Sequence, residues 1–96
     1  MEPNFLDNTL AEVRAERAYQ NDKWGTTSDD TRNTPFHWVA YLAKYSTGWL
    51  RGEWVFTTEA TNAFRTAMIK VAAIAVAAVE SLDRQRSRQG KAFFEN

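Results

Sequence analysis

Two pairs of acidic residues have the spacing that places carboxylates on one face of a helix. Glu12 precedes Glu16 by one helical turn, and Glu80 precedes Asp83 in the same way. Carboxylate oxygens are the ligands that Mg²⁺ prefers, so either pair is a candidate metal site. Both pairs also have arginine neighbours in the sequence. This is typical of a solvated, salt-bridged helix face, and we favour this second interpretation.

Reactive side chains of other types are scarce. The chain has no Cys and a single His, which excludes disulfides, thiolate metal sites and zinc sites built on two or more His. His37 lies near an expected helix start, where a surface or capping role is typical. Asp29 and Asp30 lie in a polar loop, where paired Asp usually cap or turn the chain, and metal binding is the alternative. The glycines lack the spacing of a phosphate-binding loop.

Charge is balanced overall but unevenly distributed along the chain. The net charge is zero, so no global field attracts nucleic acid, and a nucleic-acid partner is not expected. Residues 1–34 carry seven acids and four bases, whereas residues 84–96 carry four bases and one acid. Basic residues near a helix C-terminus complement the helix dipole, and phosphate binding is their alternative role.

The sequence predicts a single all-α domain over residues 1–96, with three helices that position these side chains. The helices are expected at about residues 5–22, 35–50 and 58–88. Residues typical of helix ends flank them: Gly25 after the first, Thr34 and Pro35 before the second, and Thr57 or Thr58 before the third.

The first helix carries a stripe that changes from apolar to polar. Leu6, Leu10 and Val13 repeat at helical spacing, and the same stripe continues through Arg17 and Gln20. Either the end of the helix emerges into solvent, or Arg17 and Gln20 point into a shared cleft.

The second helix is apolar on two opposite faces, and such a helix is usually sandwiched between neighbours. One face is aliphatic and the other aromatic: Phe36, Val39, Ala40, Ala43 and Leu50 against Trp38, Tyr41, Tyr45 and Trp49. We expect one face to pack on the core and the other to meet a second subunit or a planar ligand. For an aromatic stripe, packing against a subunit is the favoured interpretation.

The third helix is long and alanine-rich, and its apolar centre predicts burial on all sides. At about 45 Å it is too long for a lone domain of this size. We therefore expect it to pack in a helical bundle shared by a homodimer or a tetramer. The most apolar run, residues 71–79, is shorter than the roughly twenty residues that span a bilayer, so no membrane association is expected. The polar residues after Met1 do not resemble a signal peptide, which predicts a cytoplasmic location.

Residues 16–25 carry the pattern Glu-Arg-x-x-Gln-x-x-Lys-Trp-Gly, and residues 64–84 form the alanine-rich helix. Together these segments resemble small bacterial, phage and gene-cassette proteins related to MazG, which are all-α nucleotide pyrophosphohydrolases. The resemblance implies a helical core shared by two or four subunits. It also implies magnesium-dependent cleavage of nucleoside triphosphates to monophosphate and pyrophosphate by a metal-activated water.

The resemblance implies a nucleotide pocket at the first motif, lined by Glu16, Gln20, Lys23 and Trp24, with Arg17 beside them. Trp24 would stack on a base, and Lys23 would contact phosphate. The acidic metal motifs of MazG-like enzymes have no counterpart here, because residues 38–44 and 67–70 contain no acid. Two lysines stand near the expected carboxylate positions, and a charged lysine binds phosphate but not Mg²⁺. These are Lys44 and Lys70.

Three functions are compatible with the sequence. The first is a nucleotide-binding relative that has lost the metal site, with Mg²⁺ required only if catalysis is retained. The second is an active hydrolase with metal ligands drawn from elsewhere, such as Asp29, Asp30, Glu80 and Asp83. The third is a non-catalytic helical oligomer that binds a protein partner or serves a structural role. The missing acids favour the first and the third.

Overall fold

The computed structural model describes residues 3–25, 30, 32–48 and 57–89, and of residue 89 only the backbone is described. Nearly all of these residues belong to three helices: α1 (Phe5–Trp24), α2 (Pro35–Thr47) and α3 (Thr58–Gln89). The all-α class and the three expected helices are confirmed. The predicted end of α2 at about residue 50 is too late, because the helix ends at Thr47 with Gly48 as its C-cap; residues 49 and 50 lie outside the described residues.

Each helix begins at a polar side chain that accepts a hydrogen bond from a backbone amide of the first turn. At the start of α2, Thr34 Oγ1 accepts from the amide of His37, and His37 Nδ1 accepts from the amide of Thr34 at 3.1 Å. Similar caps begin the other helices, where Asn4 accepts from the Asp7 amide and Thr57 from the Ala60 amide, both at 3.0 Å. The capping role predicted for His37 is confirmed.

α3 is the central helix of the described chain. It packs against both α1 and α2, whereas α1 and α2 do not pack against each other. The buried apolar residues are mostly small, and most of them lie on α3: Val13, Ala67, Ala73, Ile74 and Ala77. Alanine at a helix contact lets the backbones approach closely. The separation of α1 from α2 leaves a cleft whose floor is α3.

α2 turns its aromatic face inward and its aliphatic face outward. Trp38 and Tyr45 are half-buried, whereas Phe36 and Val39 are exposed. The described aromatic rings of this face line a cleft within the chain, beside Ile74 and Ala77 of α3. Their contact with a second subunit stays a prediction.

Along the stripe of α1, the burial of the residues does not follow their hydrophobicity. Leu6 and Leu10 are exposed, whereas Gln20 is only 4% exposed. Of the two interpretations of this stripe, emergence into solvent is wrong, and the cleft is correct. In α3, residues 67–75 are all buried or half-buried, whereas Val76 and Val79 are exposed. Burial of α3 on all sides is not reached in a single chain.

Residues Thr58–Arg88 of α3 are long and apolar enough to cross a membrane by length and composition. Lys70 and Glu80 directly flank the run of residues 71–79 on which the expectation of no membrane association was based, and that expectation stays a prediction, since one such helix is weak evidence for a membrane span. The central helix of a soluble protein meets the same criterion. The predicted cytoplasmic location stays a prediction.

Candidate functional site

A cleft of about 260 Å³ opens between α1 and α2. Its lining comes from all three helices and the residue preceding the α2 cap: Arg17, Gln20 and Trp24 of α1, Asn33, Trp38, Tyr41, Lys44 and Tyr45, and Ile74 and Ala77 of α3. The structure thus brings together four of the residues predicted to bind a ligand, namely Arg17, Gln20, Trp24 and Lys44. They come from two segments that do not contact each other directly.

The α1 wall combines a guanidinium, a buried amide and an indole on one helical face, because residues 17, 20 and 24 are about one turn apart. Gln20 Nε2 donates to Glu16 Oε2 at 3.2 Å, so Glu16 orients Gln20 and is not itself among the lining residues. Arg17 Nε donates to Glu80 Oε1 of α3 at 3.0 Å. Trp24 is 47% exposed, which leaves ring surface accessible to a ligand.

The α2 wall consists of three aromatic rings and one lysine. The rings of Trp38 and Tyr41 meet edge to face, with centroids 6.0 Å apart and an interplanar angle of 87°. The Tyr41 hydroxyl donates to Asn33 Oδ1 at 3.0 Å. Lys44 Nζ lies 5.6 Å from the centroid of the Tyr45 ring, within the range of a cation–π contact. These contacts orient the rings before any ligand binds.

Two of the predicted ligand-binding lysines do not line the cleft. Lys23 Nζ lies 5.3 Å from the Trp24 ring and 6.0 Å from the Tyr19 ring, so it is placed against these rings. Lys70 is half-buried on α3, and it is not among the lining residues. The direct phosphate contacts predicted for Lys23 and Lys70 have no support in this geometry.

Arginines engage several of the acidic residues considered for Mg²⁺. Glu12 accepts hydrogen bonds from Arg65 of α3 through both carboxylate oxygens, and these bonds lower the pKa of Glu12. Glu80 pairs with Arg17. Within the described residues, no group of three His, Cys, Asp or Glu side chains could hold a metal. Asp29 lies outside them. The described residues therefore do not fit the magnesium site that the MazG resemblance implies.

Asp30 is the buried member of an ionic cluster that sequence reasoning missed, in which the Arg88 side chain is 62% exposed. The Asp30 side chain is 1% exposed, and it accepts from Ser81 Oγ at 2.8 Å and from Arg84 Nε and Nη2 at 2.9 and 2.8 Å. Arg88 Nη1 lies 2.9 Å from its second oxygen. The hydrogen bonds from Arg84 lower the pKa of Asp30 from 3.8 to about 2, against the opposing effect of burial.

This cluster corrects the interpretation of Asp30 and gives two arginines a partner that the sequence did not predict. Asp30 is neither a simple turn residue nor an accessible metal ligand, because Ser81 and two arginines occupy its oxygens. Arg84 and Arg88, for which dipole complementation or phosphate binding is expected from the sequence, both pair with Asp30. Arg88 also lies in the last turn of α3, where a basic residue complements the helix dipole. The cluster links the segment that precedes α2 to the C-terminal half of α3. Ser81, its first member on α3, lies one turn beyond Ala77 of the cleft floor.

Comparisons with known protein families, with curated proteins and with solved structures found no significant match to this chain.

Proposed function

We propose that the cleft between α1 and α2 binds a nucleotide. The observation that carries this proposal is the composition of the lining, which joins four aromatic rings to the cations of Arg17 and Lys44, with no carboxylate among the described lining residues. Aromatic side chains stack on bases, with each stack contributing about 1–3 kcal/mol. Arginine and lysine bind phosphate oxygens through charge-assisted hydrogen bonds. A planar, anionic ligand matches both features.

Each wall supplies an aromatic ring for the base and a cation for the phosphate. Trp24 and Trp38 offer ring faces from α1 and α2, and Gln20 supplies a buried amide for the edge of a base. Arg17 and Lys44 supply the positive charge for a phosphate. The cleft is slightly smaller than the roughly 300–1,000 Å³ of typical ligand pockets, so part of the nucleotide is expected to extend into solvent.

Hydrolysis is not part of the proposal. The first motif resembles MazG-like enzymes, which cleave nucleoside triphosphates with Mg²⁺. In this chain, however, Glu12 and Glu80 are held by arginines. We therefore propose a nucleotide-binding relative of these enzymes with weak activity or none.

Calorimetric titration with the common nucleoside triphosphates, with and without Mg²⁺, tests this function when pyrophosphate release is assayed in the same samples. We expect saturable binding without release. Binding with release would identify an active enzyme and direct the search for metal ligands outside α2. No binding of any nucleotide would contradict the proposal.

A second candidate function, an oligomeric partner-binding or structural module, is favoured by the exposed apolar surface. Phe36 is 80% exposed, and Val39, Val76 and Val79 are also exposed. Exposed apolar faces on two helices are typical of surfaces that a second protein covers. We propose that another copy of the chain covers the outer side of α3, in a homodimer or a dimer of dimers.

Val79→Glu is expected to weaken this assembly by about tenfold or more, because it places an unpaired charge in an apolar contact. Light scattering over a dilution series measures the effect, and circular dichroism checks that the helices persist. Ala73 is unsuitable for this test, since it is completely buried within its own chain. Ser87→Glu introduces the same charge at an exposed polar position of α3 and is the matched control. A monomeric wild type, or an assembly that Val79→Glu leaves unchanged, would refute this interface.

A further inference from the structure

The guanidinium of Arg17 already has an anionic partner in the ligand-free cleft. Arg17 Nε donates a hydrogen bond to Glu80 Oε1 at 3.0 Å. Among the described residues, Glu80 is the hydrogen-bond partner of the Arg17 side chain. Glu80 lies one turn beyond Ala77, which forms part of the cleft floor. The Glu80 carboxylate therefore lies at the edge of the cleft. It is hydrogen-bonded to Arg17, the side chain that the proposed function assigns to phosphate binding.

We propose that Glu80 is an internal competitor for Arg17, which the phosphate of the ligand has to displace. This inference rests on the proposed nucleotide-binding function. In the ligand-free cleft, Arg17 is paired with Glu80. Ligand binding then replaces the Glu80 carboxylate with a phosphate as the partner of Arg17.

The two partners differ in their freedom to move. The Arg17 side chain is 12% exposed, whereas that of Glu80 is 45% exposed. Glu80 can rotate into water at little cost, since a charged carboxylate in solvent is well hydrated. Arg17 is confined between α1 and α3 and stays beside the cleft. An arriving phosphate therefore finds a fixed cation and a mobile competitor.

This arrangement makes Glu80 a specificity-determining residue. A neutral nucleoside has no group that replaces the Glu80 carboxylate on Arg17, and its binding is indifferent to the pair. A phosphate benefits from Arg17 only after Glu80 has left, and it is also repelled by the displaced carboxylate. Removing the Glu80 charge is expected to favour phosphorylated ligands selectively.

The test is Glu80→Gln, titrated calorimetrically in EDTA with the four common ribonucleoside triphosphates and with their parent nucleosides. Asp83→Asn is the matched control, since it removes one exposed negative charge from the same helix one turn away. We expect Glu80→Gln to bind the triphosphates about twofold to fivefold more tightly than the wild type, the range set by a partly exposed ion pair. Nucleoside affinity and the Asp83→Asn control should change little.

The outcomes separate this inference from the function on which it rests. Triphosphate binding that Glu80→Gln leaves unchanged overturns the competitor role alone. Binding that Glu80→Gln weakens also overturns it, and indicates that Glu80 contacts the ligand. An equal gain for Asp83→Asn assigns the effect to net charge and overturns the specific role of Glu80. Failure of all three proteins to bind any triphosphate overturns the proposed function and this inference with it.

Discussion

Asp30→Ala is expected to lower the free energy of unfolding by about 3 kcal/mol. Removing one partner of a buried ion pair costs about 3–5 kcal/mol because the other charge is left without compensation. The lower end applies here, since the Arg84 side chain is 27% exposed and recovers some hydration. Ser81 is completely buried and loses the carboxylate that accepts from it. Urea denaturation followed by circular dichroism measures the change.

The control for this variant is Asp83→Ala, which removes an exposed acid from α3. Exposed substitutions away from specific contacts usually change stability by less than about 0.5 kcal/mol. If Asp30→Ala were as mild as this control, the cluster would have no stabilising role, and another contact would have to hold the chain ahead of α2.

The same cluster predicts acid sensitivity with a defined sign. Because the pKa of Asp30 is lowered from 3.8 to about 2 in the folded chain, its stabilising effect is complete above about pH 4. It is lost as the pH falls through about 2, and the shift corresponds to about 2 kcal/mol. The stability difference between the wild type and Asp30→Asn should therefore narrow by about this amount between pH 5 and pH 2. A constant difference across that range would contradict the lowered pKa.

Trp24→Ala is expected to weaken nucleotide binding by about tenfold or more while leaving the fold intact. The expected loss follows from the stacking contribution of about 1–3 kcal/mol per base. The fold should persist because Trp24 lies at the end of α1 and is about half exposed. Calorimetry gives the affinity, and thermal unfolding shows whether the variant is folded.

Tyr19→Ala is the matched control for Trp24→Ala. Tyr19 is an exposed aromatic residue of the same helix, and Lys23 lies over its ring as it does over that of Trp24. It does not line the cleft. Equal losses of affinity in the two variants would mean that Trp24 has no special position. Unfolding of Trp24→Ala alone would make this residue part of the core.

The starts of α2 and α3 and the end of α1 could be predicted from sequence because the signals that set them are local, whereas the end of α2 at Thr47 was not predicted. The Thr34–Pro35 start, the Thr57 cap and the Gly25 stop each depend on residues within one turn. Gly25 adopts a φ of 74°, which side chains other than glycine rarely tolerate. Short-range hydrogen bonding and backbone sterics decide such positions without reference to the rest of the chain.

The directions of the helix faces could not be predicted in the same way. α2 has two apolar faces, and hydrophobicity does not distinguish them. The aromatic face lines the cleft together with Ile74 and Ala77 of α3, and these residues are far away in sequence. The burial of Gln20 and the exposure of Leu6 and Leu10 likewise depend on how α1 packs against α3, which is distant in sequence.

Ion pairs between distant segments were also beyond sequence reasoning. Asp30 and Arg84 are more than fifty residues apart, and the local interpretation of each was plausible by itself. Glu80 was grouped with Asp83 as its neighbour on the helix, whereas its partner is Arg17 on another helix. The cleft could be predicted in part, since the motif at residues 16–25 supplied one wall.

The most direct test of the account is the two-dimensional ¹H–¹⁵N spectrum of the tryptophan indole groups during titration with the nucleotide that binds best by calorimetry. Trp24→Phe and Trp38→Phe variants assign the two signals of the cleft. The account predicts that both signals shift saturably, with the dissociation constant that calorimetry gives. Saturable calorimetric binding that leaves both signals in place would locate the nucleotide elsewhere and contradict the cleft as its binding site.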